Sequence, residues 1–264
     1  MLPSIDIQLF LVNDLAIHLY SSKDSVENNH LKVKNAHLYV PGLPQITDKR
    51  FFQKIVNKDN TFFYVYYYGT WLSGKTFTPE NSRKSIIDAL KIIKDGSAAK
   101  SFDGKNFSWE FETLSILGCS FAGNPILSSA IDNSMVNKIE LYSPLVFVSK
   151  GERTKFMTDE QSKQFDLYNK DFLFFMRNGY PNALRGINEP VWDDYFLGND
   201  DQSKIKISAN YPKIKIYHGL EDKTVTPEST KYLESLFADK VKTEFVPGFG
   251  HDFTTLYNHI NKIE

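Results

Sequence analysis

The stretch Thr113-Leu-Ser-Ile-Leu-Gly-Cys-Ser-Phe-Ala-Gly-Asn124 decides how the rest of the chain is read. Leu114 to Leu117 is a short apolar run, the pattern of a strand buried on both faces of a parallel sheet. Gly118 and Ala122 stand two positions either side of Ser120. A sharp strand-to-helix turn needs such small residues, because larger side chains would collide there. The pattern therefore predicts a strand, a tight turn with Ser120 strained at its apex, and a helix beginning at once. The hydroxyl would lie over the helix N-terminus, whose partial positive charge favours a developing anion. Ser120 also fits an ordinary helix N-cap. Its meaning depends on whether the chain supplies it with chemical partners.

Outward from this turn, strand and helix patterns alternate. Residues 5–10 and 15–20 alternate in polarity and predict an antiparallel hairpin at a sheet edge. Residues 36–45 read as a strand ending at Pro41-Gly42, and 47–56 as a short helix. The run over 61–68 is nearly all aromatic and β-branched, the strongest strand signal in the chain. Residues 82–94 place Ile86, Ala89, Leu90 and Ile93 on one helical face, with Gly96 just past the end. Asp103-Gly104 marks a turn before the Ser120 strand, and a helix over 125–131 and a strand over 138–144 follow it.

The rhythm stops between 145 and about 209. There Thr158-Asp-Glu-Gln161 has the form of a capping box, and Phe165, Tyr168, Phe172 and Phe175 recur at helical spacing up to Gly179. It resumes with a strand at 213–220, a helix around 227–238, a strand at 242–246 and a helix from Phe253. Alternation with one interruption predicts an α/β fold, a mainly parallel sheet with helices on both faces.

Composition narrows the function. With 264 residues the chain can build one large core carrying a small insertion. At 41% hydrophobic and 14% aromatic it is globular rather than disordered. The net charge of -1 comes from Lys and Arg dispersed among acids, so neither a nucleic-acid surface nor a membrane-binding basic patch is expected. Cys119 is the single cysteine, which excludes an internal disulfide and fits a reducing, cytoplasmic setting. The first ten residues lack a basic leader, and no apolar run reaches the length of a membrane span.

In an open parallel sheet, functional groups gather beyond the carboxyl ends of the strands. Three post-strand loops carry unusual sequences: the Ser120 turn, His218-Gly-Leu-Glu-Asp-Lys-Thr-Val-Thr-Pro227, and Val246-Pro-Gly-Phe-Gly-His-Asp252. A serine needs a base to take its proton, and the base needs an acid to fix its tautomer. His251 can be the base and Asp222 the acid, with Glu221 a close rival to Asp222. His218 reads as structural, His37 as lying inside the sheet, and His18, His30 and His259 as surface residues. Asp252 reads as stabilising its loop and Cys119 as packed behind the turn.

Through these residues the chain resembles the α/β-hydrolase superfamily over nearly its whole length. The resemblance rests on Gly118-Cys-Ser-Phe-Ala122, on the spacing from His218 to Pro227, on Gly250-His251, and on the order serine, acid, histidine. Tyr68-Gly-Thr-Trp-Leu-Ser-Gly74, Thr78-Pro-Glu-Asn81 and Ser143-Pro144 are similar to prolyl-oligopeptidase-like and dienelactone-hydrolase-like members. The resemblance implies Ser120 as nucleophile, Asp222 as acid and His251 as general base. It implies an oxyanion hole made by the backbone N–H groups of Phe121 and Leu43, with no metal or cofactor. Pro41 departs from the histidine most relatives carry before this glycine, and Pro125 removes a backbone donor from the helix after the turn.

The resemblance further implies a hydrolase core from 1–144 and 210–264, with 145–209 as a cap inserted after the sixth strand of that fold. Phe172, Phe175 and Trp192 are the cap residues expected to meet substrate. The implied activity is hydrolysis of a small-molecule carboxylic ester or thioester through an acyl-enzyme on Ser120. An amidase or peptidase with the same chemistry, and a non-catalytic binding protein keeping the fold, are the alternatives. A homodimer is the one protein partnership considered.

Overall fold

The computed structural model of the chain describes residues 4–45, 49–198 and 203–263. It opens with β1 (Ile5–Val12) and β2 (Leu15–Ser22), an antiparallel hairpin. Asn13 and Asp14 turn it with φ of 49° and 68°, the left-handed pair that a two-residue hairpin favours. The short β3 (Val26–Glu27) pairs with β4 (His30–Val40). Then come α1 (Lys49–Ile55), β5 (Asn60–Val65), α2 (Pro79–Asp95), β6 (Ser97–Ala99) and β7 (Asn106–Cys119). After the Ser120 turn lie α3 (Gly123–Leu127) and β8 (Lys138–Tyr142). The inserted segment holds α4 (Lys150–Arg153), α5 (Asp159–Gly179) and α6 (Val191–Leu197). The chain returns through β9 (Lys213–Gly219), α7 (Glu228–Leu236), β10 (Val241–Val246) and α8 (Phe253–Asn261).

One sheet runs β1-β2-β5-β4-β7-β8-β9-β10, with β3 and β6 as short additions. From β5 through β10 every neighbouring pair along that order is parallel. Register then fixes where the strands end. Val40 lies opposite Gly118, Cys119 opposite Tyr142, Tyr142 opposite Tyr217, and Gly219 opposite Val246. The five loops after β4, β7, β8, β9 and β10 therefore leave the sheet near one level, which is where chemistry can be assembled.

Side chains of β7 alternate between two layers, as the pleat demands. Leu117 joins Tyr39, Tyr64 and Tyr142 under Phe51 and Phe52 of α1 and Leu256 of α8. Ile116 joins Leu38, Leu141 and Ile216 under Ile86 and Leu90 of α2, Ile126 of α3 and Leu233 of α7. Helices thus cover both faces. The inserted segment belongs to the second layer, since Phe165, Leu173, Met176, Trp192 and Phe196 pack into that same cluster. Its anchor is Arg153, fully buried. The guanidinium donates to Val148 O at 3.0 Å and to Asp166 at 2.6 Å, and lies 4.5 Å from the centre of the Phe165 ring.

Most elements stand where the pattern puts them, including the capping box. Thr158 Oγ1 accepts from Gln161 N–H, and Gln161 returns the bond to Thr158 N–H. The differences have physical causes. The helix expected over 125–131 stops at Leu127, because the hydroxyls of Ser128 and Ser129 bond back to Asn124 O and Pro125 O and end the run. Strand β7 is fourteen residues long, since Phe107, Trp109 and Phe111 alternate and extend it well before Leu114. The strand expected over 61–68 leaves the ladder at Val65. Thr47 and Asp48 of the expected helix over 47–56 lie outside the described residues, and α1 covers Lys49–Ile55 of the remainder. Helix α6 was too short to be read from its pattern. Among the described residues no helix is long and apolar enough to cross a membrane.

Candidate active site

Gly118 shows why the turn after β7 needs small residues. A Cβ there would sit 2.5 Å from the Ile126 side chain and 3.1 Å from that of Leu141. The chain turns so sharply that Ser120 takes φ of 50°, a conformation costing about 1–3 kcal/mol for a residue with a side chain. Its carbonyl accepts from Gly123 and Leu145 N–H, which fixes the apex from both sides. The strain expected at Ser120 is present.

Two further loops reach this apex. His251 Nε2 lies 2.8 Å from Ser120 Oγ, and His251 Nδ1 lies 2.7 Å from Asp222 Oδ2. With Nδ1–H donating to the carboxylate, Nε2 is left to accept the serine proton. Backbone bonds join the acid loop to the base loop: Leu220 N–H donates to Val246 O and Glu221 N–H to Phe249 O, each at 3.0 Å. Gly219 makes this approach possible, since a Cβ there would lie 2.2 Å from Phe249 O.

Asp222, not Glu221, is the carboxylate brought to the histidine. Glu221 is exposed, whereas the Asp222 side chain is fully buried. Its Oδ1 accepts from Thr224 and Val225 N–H at 2.9 Å each. Burial opposes its ionisation, but His218, His251 and these amides outweigh that and hold its carboxyl well below the usual range. His218 is the buried brace. Its Nε2 lies 2.8 Å from Val225 O and 3.5 Å from Asp222 Oδ2. Asp252 caps α8 by accepting from Thr255 N–H.

The loop after β4 approaches Ser120 from the other side. Gly42 passes so close that a Cβ would meet Ser120 Cβ at 3.0 Å. The loop's backbone is held by side chains around it. Tyr67 OH donates to Pro41 O at 2.9 Å, Trp71 Nε1–H to Pro44 O at 2.7 Å, and Tyr64 OH to Gln45 O at 3.0 Å. Gly42 N–H points to Cys119 Sγ at 3.3 Å, and Gln45 N–H donates to Gly42 O. Leu43 sits at the centre of this clamped turn. The run 61–68 predicted a strand but not this task. Hydroxylated rings at a strand's carboxyl end were the signal available.

No family model and no curated protein sequence matches the chain. Solved structures do match in shape. Est1E from Butyrivibrio proteoclasticus superposes with a TM-score of 0.57 at 13% identity, covering 97% of this chain and 96% of that one. A bromoperoxidase from Bacillus anthracis gives 0.57 at 12% identity, with 97% of each chain covered. A puromycin-hydrolyzing peptidase of Mycobacterium tuberculosis gives 0.55 at 12% identity, over 98% of this chain and 38% of that one. The chain has the α/β-hydrolase fold. Esterase, peptidase and bromoperoxidase are different activities on this one fold, so the reaction must be argued from the site itself.

Within this hydrolase fold two cavities meet at Ser120. One, of about 30 Å³, lies under α5 and is lined by Leu43, Phe121, Leu145, Phe165, Phe172 and Phe196, with Tyr168, Asn169, Thr224 and Val225 completing the wall. The other, of about 290 Å³, lies between the 41–45 loop, α1 and the start of α8, and includes His251, Cys119 and Gln45. Of the three cap residues expected at the substrate, Phe172 alone lines a cavity with Ser120.

Trp192 is fully buried, donating Nε1–H to Phe77 O and stacking on Phe196, so it supports the wall from behind. Phe175 is 54% exposed and packs edge-on against Tyr180, because its position on α5 turns away from the cavity. Neither touches the site. Among the histidines expected at the surface, His18 is half-buried against Tyr66, and burial lowers its pKa. His37 bonds Ser115 within the sheet, and His259 is exposed.

Proposed function

We propose that the protein is a serine hydrolase acting on a carboxylic ester or thioester. The observation that carries this reading is the hydrogen-bonded line from Ser120 Oγ through His251 to Asp222, at 2.8 and 2.7 Å. Ser120 attacks the substrate carbonyl as His251 Nε2 takes its proton. Asp222 steadies the imidazolium without being protonated itself, consistent with its depressed pKa. Negative charge developing on the carbonyl oxygen falls between the amides of Phe121 and Leu43. His251 then returns the proton to the leaving group. The acyl-enzyme on Ser120 is released by a water that His251 activates.

The clamped 41–45 loop supports this reading. A donor aimed at a developing oxyanion is most effective when it need not reorganise during the reaction, and this turn is held at Pro41, Gly42, Pro44 and Gln45. Labelling with a fluorophosphonate tests the proposal. The wild-type protein is expected to be labelled at Ser120 and to hydrolyse nitrophenyl esters, with both properties lost in Ser120→Ala. Turnover of aminoacyl nitroanilides without turnover of esters would assign it to amide chemistry instead. Ester hydrolysis surviving in Ser120→Ala would remove the serine mechanism.

A further inference from the structure

The two cavities at Ser120 differ in which catalytic groups they contain, and this assigns them to the two halves of a substrate. His251 must hand its proton to the departing oxygen, sulfur or nitrogen, so the leaving group has to lie on the imidazole's side of the serine. His251 lines the larger cavity and is absent from the wall of the smaller one. Phe121 lines the smaller cavity only. Resting on the serine-hydrolase reading above, we infer that the narrow cavity under α5 holds the acyl group and the wide one holds the leaving group. The substrate class is an ester or thioester of a short, uncharged, apolar acid with a bulkier alcohol or thiol.

Three observations set the acyl side. No charged side chain lines the cavity among the described residues, so an acidic or amino acyl group would lose its hydration without a counter-charge. The polar lining is sparse, and its amide is engaged with the protein: Asn169 Nδ2–H donates to Phe196 O. The far wall is rigid. Phe165 lies against the buried Arg153, which the half-buried Asp166 holds in place, while Phe172 packs edge-on to Phe196 and alongside Tyr168. Phe172 is the half-buried ring of this wall, and trimming it lengthens the cavity toward solvent.

The leaving-group side is different in kind. At about 290 Å³ against about 30 Å³ it is several times as large, and Tyr39, Tyr64, Phe51, Phe52 and Phe253 give it broad aromatic faces. Stacking on such faces tolerates many cyclic or aryl groups rather than selecting one. Acyl length is thus selected sharply and leaving-group structure loosely.

A two-way series of esters tests this: acetyl to dodecanoyl chains on one aryl alcohol, then one short acyl chain on alcohols of increasing size. For the wild-type protein, kcat/KM is expected to peak at a short acyl chain. It should fall by about tenfold or more over the next few methylenes, while varying less across the alcohols. Phe172→Ala is expected to move the peak to longer chains, and Phe172→Leu to move it less. Hydrolysis dependent on Ser120 but flat in acyl length, or cut off by the size of the alcohol, would overturn the assignment and leave the serine-hydrolase reading intact. Absence of both fluorophosphonate labelling and Ser120-dependent turnover would overturn that reading and this one together.

Discussion

The site has two halves built by different means. On one side, Ser120, His251 and Asp222 are joined by side-chain hydrogen bonds across three loops that share a common level at the strand ends. On the other, the 41–45 turn contributes backbone, and the groups fixing it are tyrosine and tryptophan side chains donating to its carbonyls. Residues that move protons need particular chemical groups, so they leave marks in the sequence. Residues that hold backbone in place can be of many types, and their role emerges only from where their hydroxyls end up. The difference teaches that the proton-moving half should fail completely when one member is removed, whereas the positioning half should fail by degrees.

Removing the proposed nucleophile gives the sharpest test. Ser120→Ala is expected to lower kcat roughly a millionfold, down to what binding and the oxyanion site alone provide. A loss of only tenfold, measured by steady-state ester hydrolysis, would erase the contrast between the halves.

Asp222→Asn should cost about 10⁴-fold in kcat, because the amide holds the imidazole in the wrong tautomer. The same variant reports on stability. The Asp222 carboxyl is held below its ordinary range in the folded chain, so ionisation stabilises the fold above about pH 4. That contribution is lost as pH falls from there through the lowered folded value. Thermal melts from pH 7 downward should therefore show wild type losing stability below about pH 4 more steeply than Asp222→Asn. Parallel curves would show that the buried carboxylate is not stabilised by its neighbours.

On the positioning half, Tyr67→Phe leaves Pro41 O without its donor at 2.9 Å. An expected fall of about tenfold in kcat, with KM little changed, follows from one buried hydrogen bond of loop order. A boronic acid mimicking the tetrahedral state should lose affinity by the same factor, while a ground-state ketone analogue should not. Equal losses for both would mean the tyrosine merely stabilises the fold. The smallest effect belongs to Phe175→Ala. That ring is exposed and outside both cavities, so the acyl-length profile should be unchanged and stability should shift by no more than about 0.5 kcal/mol.

Legibility followed the same division. Ser120, Asp222 and His251 could be read because each sits in a short post-strand loop whose glycines and small residues have a steric purpose. Gly118, Gly42 and Gly219 are now seen to stand where a Cβ would collide. The choice of Asp222 over Glu221 rested on the resemblance to the α/β-hydrolase motif, and burial explains it. Periodicity along α5 placed its aromatic residues on a helix but did not say which of them faced the serine. Phe172 and Phe175 are three positions apart, yet one lines a cavity and the other meets solvent. Trp192, expected with them to meet substrate, is core. Asn169 and Thr224 gave no local signal, since polar residues at a cavity wall look like any other positions until two distant elements meet.

By itself the sequence determined the alternation of strands and helices, the sharp turn at Ser120 and the identity of the residues able to move a proton. Those features are local, set by sterics within a few residues and by chemistry that few side chains can perform. Tertiary structure alone decided that five loops leave the sheet near one level, that tyrosine hydroxyls restrain the 41–45 turn, and that the serine faces a narrow cavity on one side and a wide one on the other. These depend on strand register and on the packing of α5 against the sheet layer. Each is a sum over many weak contacts between residues distant along the chain.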